Sequence, residues 1–427
     1  MNKQVLKLAL PSILANITIP LVGIVDTAIV GHLADATAIG GIAIGTMLFD
    51  LLYWNFGFLR VSTSGMTAQA FGRGDTCECR KILSQSLTIA GLATIAIWTI
   101  QWVFVTAVLA CVPCSEEVSD FARQYFFVRI WAAPATLALM AIKGWFIGMQ
   151  DTVSPMVSDI VVNGVNMVAS YVLAVYSPLG ILGVAYGTVI AQFMGLIVSV
   201  AILMRRYRIR PHIQHLVRFY GWNKELFRLN TQLFVRSLCF IVIYVGFTAL
   251  ASQYGDTELA ISSIIMKLYM FFSYFVDGFA YAGEALVGRF IGENHQQKLR
   301  HAWKVLLVWS IGVGGLFTLI YAFLGRQCFA LMTSDVTVLD GINPYVPWLV
   351  TMPLISAMAF LLDGVFVGAT QGREIRNAML WAVVGFVVAY AGLHTVIGIQ
   401  ALYLAYFVHL LARAVYLGCK VENILQI

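Results

Sequence analysis

Eleven ionisable side chains fall inside stretches of sequence that are otherwise apolar: Asp26, Asp50, Asp159, Asp277, Glu284 and Asp363, with Arg60, Arg129, Lys143, Arg236 and Lys267. At roughly 3 kcal/mol each at a bilayer centre, they would together cost about 30 kcal/mol if they faced lipid. Most must therefore pair or line a polar cavity, which is the chemistry of binding and translocation and argues against a passive anchor or scaffold. Asp26 is the most informative of them. It precedes Gly31, where the first apolar stretch ends, by five residues, about 7.5 Å of helical rise. A carboxylate at that depth, still within reach of water, is a candidate proton-coupling site; the competing reading is an Asp that only fixes helix packing.

Asn163 and Asn166 are three residues apart and share a helical face, with Ser170 one turn beyond. Such a face either hydrogen-bonds a neighbouring helix or lines a cavity. Pro11 and Pro20 lie on the same stretch as Asp26. Each removes a backbone hydrogen bond, so this segment is predisposed to bend, statically or in response to Asp26. In the second half, Asp277 and Glu284 are seven apart on one face, with Asp363 two helices later and Arg236 and Lys267 nearby in the chain. They form either a structural ion-pair network or a cation or substrate site.

The elements that carry these residues follow from composition. Of 427 residues, 60% are hydrophobic and 11% charged, whereas soluble domains are about a quarter charged. Disordered, coiled-coil, disulfide-stapled and β-barrel classes each need another pattern. Breaks at polar, Gly and Pro clusters leave twelve apolar stretches, near 8–31, 38–70, 82–110, 121–148, 153–176, 180–204, 229–252, 259–288, 302–325, 344–370, 376–394 and 398–418. Each is long enough for a transmembrane helix, and the second and eighth are too long for one straight span. No cleavable signal peptide is evident, so the first helix is expected to remain in the mature chain.

Lys and Arg fix the orientation. The side holding both termini and the loops after even-numbered helices carries 20 of them and the other side 2, which places both termini in the cytoplasm. The net charge of +6 is thus a topology signal with some attraction to anionic lipid, and no nucleic-acid partner is expected. An internal repeat pairs Lys143–Gly148 with Asp363–Gly368 at an offset of 220, Gly65 through Asp75 with Gly283 through Glu293 at 218, and Gly180 with Gly398 at 218. The expected architecture is all-α and integral to the membrane: two six-helix lobes, 1–204 and 229–427, related by a pseudo-two-fold axis along the membrane normal and joined by a cationic cytoplasmic linker, 205–228.

Of seven cysteines, Cys77 and Cys79 fall in a cytoplasmic loop, and Cys111 and Cys114 on the outer side, where a disulfide is permitted. No His pair, Walker A sequence, dinucleotide fingerprint or nucleophile elbow is present, so neither an enzyme nor a metal or cofactor site is expected.

Pro11, Asp26-Thr27 and Gly31, Arg60 with Gly65-Met-Thr-Ala-Gln-Ala-Phe-Gly72, Gly144 through Asp151, Asp277-Gly-Phe-Ala-Tyr and Glu284-Ala-Leu-Val-Gly-Arg289 together resemble the multidrug and toxic compound extrusion (MATE) transporters, specifically their DinF-like branch. The resemblance covers essentially the whole chain. It implies a V-shaped cleft between the lobes, alternating access, and export of cationic or amphipathic small molecules in exchange for H⁺ or Na⁺. It also implies a monomer in a bacterial inner membrane. By motif, Asp26 matches the first-helix coupling carboxylate, Asn166 the fifth-helix Asn of the same cavity, Thr188 a sixth-helix polar contact, and Pro11 the proline about which the first helix bends. Two departures favour proton over sodium. The fifth-helix Asp of some relatives is Ser170 here, and the seventh helix offers Arg236 where sodium-binding branches have an acid, although Asp363 matches their tenth-helix carboxylate. The alternative within the superfamily is a flippase for a lipid-linked saccharide, which would call for a strongly cationic cavity.

Overall fold

The computed structural model describes residues 1–33, 36–112, 114–180, 182–209, 224–333 and 335–426, less the side chains of 24, 26–28, 30–33, 36–38 and 111. Among these residues all regular structure is helical. In chain order the helices are α1 Asn2–Leu33, α2 Ala36–Trp54, α3 Phe58–Gly72, α4 Thr76–Cys111, α5 Glu116–Arg129, α6 Ala133–Gly148, α7 Val153–Tyr176 and α8 Leu182–Arg206. There follow α9 Lys224–Ala251, α10 Asp256–Gly292, α11 Gln296–Ala330, the short α12 Val336–Gly341, α13 Val346–Gly368, α14 Gly372–Ile397, α15 Gln400–Gly418 and α16 Val421–Leu425.

Among the described residues, twelve segments are long and apolar enough to cross a membrane. The over-long second stretch is α2 and α3 joined by a 3₁₀ turn at Asn55–Gly57, while the eighth is the single 37-residue α10. A second 3₁₀ turn, Ile130–Ala132, joins α5 to α6 within the fourth span, a break that apolar patterning does not reveal. Capping starts the helices that leave polar loops: Asp75 accepts from the Glu78 N–H at 2.9 Å, and Ser115 from Val118. Large apolar side chains such as Val103, Tyr176, Phe323 and Val396 stand exposed on the spans, as acyl chains rather than water would favour.

Two compact units emerge. The C-terminal unit comprises Met1–Ile13, Ala68–Gly74 and Lys224–Ile427; the N-terminal unit comprises Leu14–Thr67 and Asp75–Asn223. The start of α1 and the end of α3 therefore group with the second half of the chain. Within the C-terminal unit the core gathers Phe247, Phe272, Phe317, Tyr321, Tyr403 and Tyr406, and within the N-terminal unit Leu48, Phe49, Tyr125, Phe126 and Ile130.

Each unit repeats one packing device. A Cβ on Gly144 would lie 2.2 Å from the Arg60 carbonyl oxygen, and one on Gly364 would lie 2.3 Å from that of Ala280. Only glycine lets α6 approach α3, and α13 approach α10, this closely. The offset is 220, and it recurs in the left-handed residues Gly74 and Asn294, and Gln150 and Thr370. The register read from sequence around α3 and α10 is thereby corrected. At 218 it sets Gly74 against Gly292, whereas in the structure Gly72 and Gly292 are the counterparts, each packed on the other helix through the carbonyls of Arg289 and Gln69.

Candidate functional site

In the N-terminal unit, α7 carries a polar column. Val153–Tyr176 buries Ser154, Ser158, Asn166 and Ser170 along one face, which packs on α8. Asn166 Nδ2 donates to Thr188 Oγ1 at 3.0 Å, and Thr188 in turn donates to the Val184 carbonyl at 3.1 Å. Ser170 Oγ donates to the same carbonyl at 3.5 Å. Asn163 donates to Thr18 of α1, and Thr18 to the Ala15 carbonyl at 2.6 Å. One turn before Asn163, Asp159 pairs with Lys143 of α6. The four cavity residues expected from sequence are thus brought onto one helix pair. Asn163 and Asn166 reach different neighbours, and Asn166 Oδ1 is buried without a hydrogen-bond partner.

The backbone of Asp26 lies within α1, but its side chain falls outside the described residues. Its helical neighbours Val25 and Ile29 pack with Ala174 and Val184, so this turn of α1 runs beside the ends of α7 and α8 that hold Ser170 and Val184. Helical structure in α1 continues through both Pro11 and Pro20, which are half-buried. The side chain of Cys111 also falls outside the described residues; Cys114 is a free, exposed thiol.

Asp363 organises the C-terminal unit. Through a single oxygen, Oδ2, it accepts from Arg236 of α9 at 2.8 Å and from Arg413 of α15 at 2.5 Å. The Arg413 guanidinium is fully buried and lies 5.7 Å from the centre of the Phe240 ring and 5.8 Å from that of Phe360, two cation–π contacts that replace part of the lost hydration. Beside it, buried His409 donates from Nδ1 to the Tyr406 carbonyl at 2.6 Å. Arg413 is the residue that sequence reasoning misses, because charge counting assigns it to the cytoplasmic C-terminus. The signal was present: the apolar run continues past it to Gly418. Of the other expected members, Glu284 is buried, Asp277 is half-buried within electrostatic reach of Tyr269, and Lys267 is exposed and stands outside the Asp363 cluster. No group of His, Cys, Asp and Glu able to hold a metal occurs among the described residues.

A further carboxylate closes the far end of α8. Buried Asp151, in the turn between α6 and α7, accepts from the Ser154 N–H at 3.1 Å, the Tyr207 hydroxyl at 2.8 Å and Arg206 at 2.9 Å. Burial pushes the Tyr207 phenol up, and the neighbouring Asp151 charge adds to that rise. Glu374 does the same work in the C-terminal unit, accepting from Tyr416 at 2.9 Å and Lys420 at 3.0 Å.

Comparison with known proteins places this arrangement. The family model described as MatE matches the chain twice, over residues 11–172 and 233–391, once in each half. DNA damage-inducible protein F of Escherichia coli (strain K12) is 33% identical over 419 residues, covering 98% of this chain and 91% of that protein. A crystal structure of a MATE protein in complex with MaL6 superimposes with a TM-score of 0.87 at 15% identity, covering 100% of this chain and 97% of that one. An outward-facing multidrug resistance MATE family transporter of the MOP superfamily gives 0.86 at 17%, covering 99% and 96%.

Proposed function

This chain belongs to the MatE family of multi-pass membrane transporters, and from that premise we propose that it exports lipophilic or amphipathic organic cations in exchange for inward protons, by alternating access. The ionised form of Asp26 attracts the cation; a proton entering from outside neutralises the carboxylate and releases the substrate. Asn163, Asn166, Ser170 and Thr188 line the path beside it, and α1 bends about Pro11 and Pro20. The chain works as a monomer in a bacterial inner membrane with both termini in the cytoplasm.

The observation that carries proton coupling over sodium coupling is the state of Asp363. A carboxylate already neutralised by two guanidinium groups, one of them fully buried, offers little to a metal ion, so coupling falls to the N-terminal unit. The test is flux in proteoliposomes with pH and Na⁺ gradients imposed separately. A pH gradient alone should drive substrate uptake into inverted vesicles, and Asp26→Asn should abolish substrate-driven proton release. Undiminished exchange in Asp26→Asn, or flux that follows only Na⁺, overturns the reading; lipid translocation without cation flux would identify a flippase.

A further inference from the structure

Lys143 and Asp159 differ in kind from the charge cluster of the C-terminal unit. At the 220 offset the counterpart of Lys143 is Asp363, which is held by two rigid guanidinium forks with side-chain exposures of 22% and 0% against its own 8%. Asp159 instead meets one ammonium, and both partners are partly open, Lys143 at 21% and Asp159 at 29%. An ammonium on a flexible four-carbon stem is a point charge that leaves and returns readily; a bonded guanidinium does not.

The surroundings of Asp159 are polar, and they grade from a partly open pair at Lys143 and Asp159 into buried polar groups further along α7. Asn163, Asn166 and Ser170 follow it at four, seven and eleven residues, one helical flank running about 17 Å along α7. Polar atoms from three further helices meet that flank: Thr18 from α1, Lys143 from α6 and Thr188 from α8. The buried carbonyl oxygen of Asn166 still lacks a donor there.

We propose that Asp159 is a cation-binding site and that the Lys143 ammonium occupies it as a tethered competitor, displaced when the positively charged group of a substrate arrives. The exchange keeps the charge of the site constant: one cation leaves Asp159 as another takes its place, and the freed ammonium turns toward water. This deepens the preceding reading, on which it rests, by adding an acidic site to the one at Asp26.

Ethidium binding to the purified full-length protein tests it. Lys143→Met, which removes the competitor and leaves the carboxylate, should bind ethidium about tenfold more tightly, and Asp159→Asn about tenfold more weakly. A Lys143→Arg variant should also bind more weakly, since the guanidinium holds Asp159 harder, and it keeps the test available if Lys143→Met does not fold. A purely structural ion pair predicts the opposite pattern. Both removals would then weaken binding together, and the exchanged pair Lys143→Asp with Asp159→Lys would bind as the wild type does; either result overturns the proposal. Wild-type protein that binds ethidium while Lys143 variants leave the affinity unchanged defeats this inference alone. Wild-type protein that binds no ethidium defeats the organic-cation reading and this one with it.

Discussion

Two guanidinium groups converge on one oxygen of Asp363, so removing any member of that cluster leaves a charge without its partner inside the membrane. Arg413→Met should therefore lower the unfolding free energy by about 3–5 kcal/mol, measured as a loss of thermal stability in detergent. Asp363→Asn, which strands both cations, should be worse. A stability unchanged by Arg413→Met would mean that the cluster does not hold the C-terminal unit. At this scale the sequence told acid from base more readily than partner from bystander. Asp363 stands out because it interrupts a long apolar run. Arg413 does not, because a basic residue five positions before the helix end at Gly418 has the composition of a topology signal, and only the fold shows that it turns inward. Lys267 is the converse: it lies in an apolar segment, yet it is exposed. Asn163 and Asn166 were legible as a shared face, but which neighbour each one reaches depends on how α1 and α8 are placed.

Helix contacts in this fold are set by glycines, and letter matching registers Gly144 with Gly364 correctly but sets the Gly72 and Gly292 segments two residues out. Gly72 and Gly74 both have glycine or asparagine counterparts, so matching letters favours 218, while backbone approach and left-handed φ fix 220. Gly144→Ala and Gly364→Ala should each destabilise by about 1–3 kcal/mol, because the added carbon meets a carbonyl oxygen that cannot step aside. Gly91→Ala, in α4 with nothing within 4 Å of the new carbon, should gain about 0.5–1 kcal/mol from helix propensity. Thermal melts of the three variants give the ranking, and a harmless Gly144→Ala would refute this account of the repeat. The number of spans was readable from apolar runs, because each run must satisfy its backbone internally. The 3₁₀ turn at Ile130–Ala132 was not, since its residues are as apolar as their helical neighbours.

For the molecule as a whole, energetics bound what exchange can achieve. One proton moving inward through 100 mV and one pH unit releases about 3.7 kcal/mol. If one monovalent cation leaves for each proton, the electrical part cancels and about tenfold accumulation remains per pH unit. Orientation is testable with native thiols. Cys77, Cys114 and Cys419 are all exposed, and termini facing the cytoplasm require that an impermeant maleimide label Cys114 on intact cells but reach Cys77 and Cys419 only after permeabilisation; the reverse pattern inverts the topology. The 37 residues of α10 extend about 55 Å, against a hydrocarbon core of about 30 Å. A helix with that much overhang has no fixed waterline. When the bilayer thickens or thins, the boundary between lipid and water slides along a continuous rod instead of uncovering a frayed end, so hydrophobic mismatch is absorbed without unwinding α10.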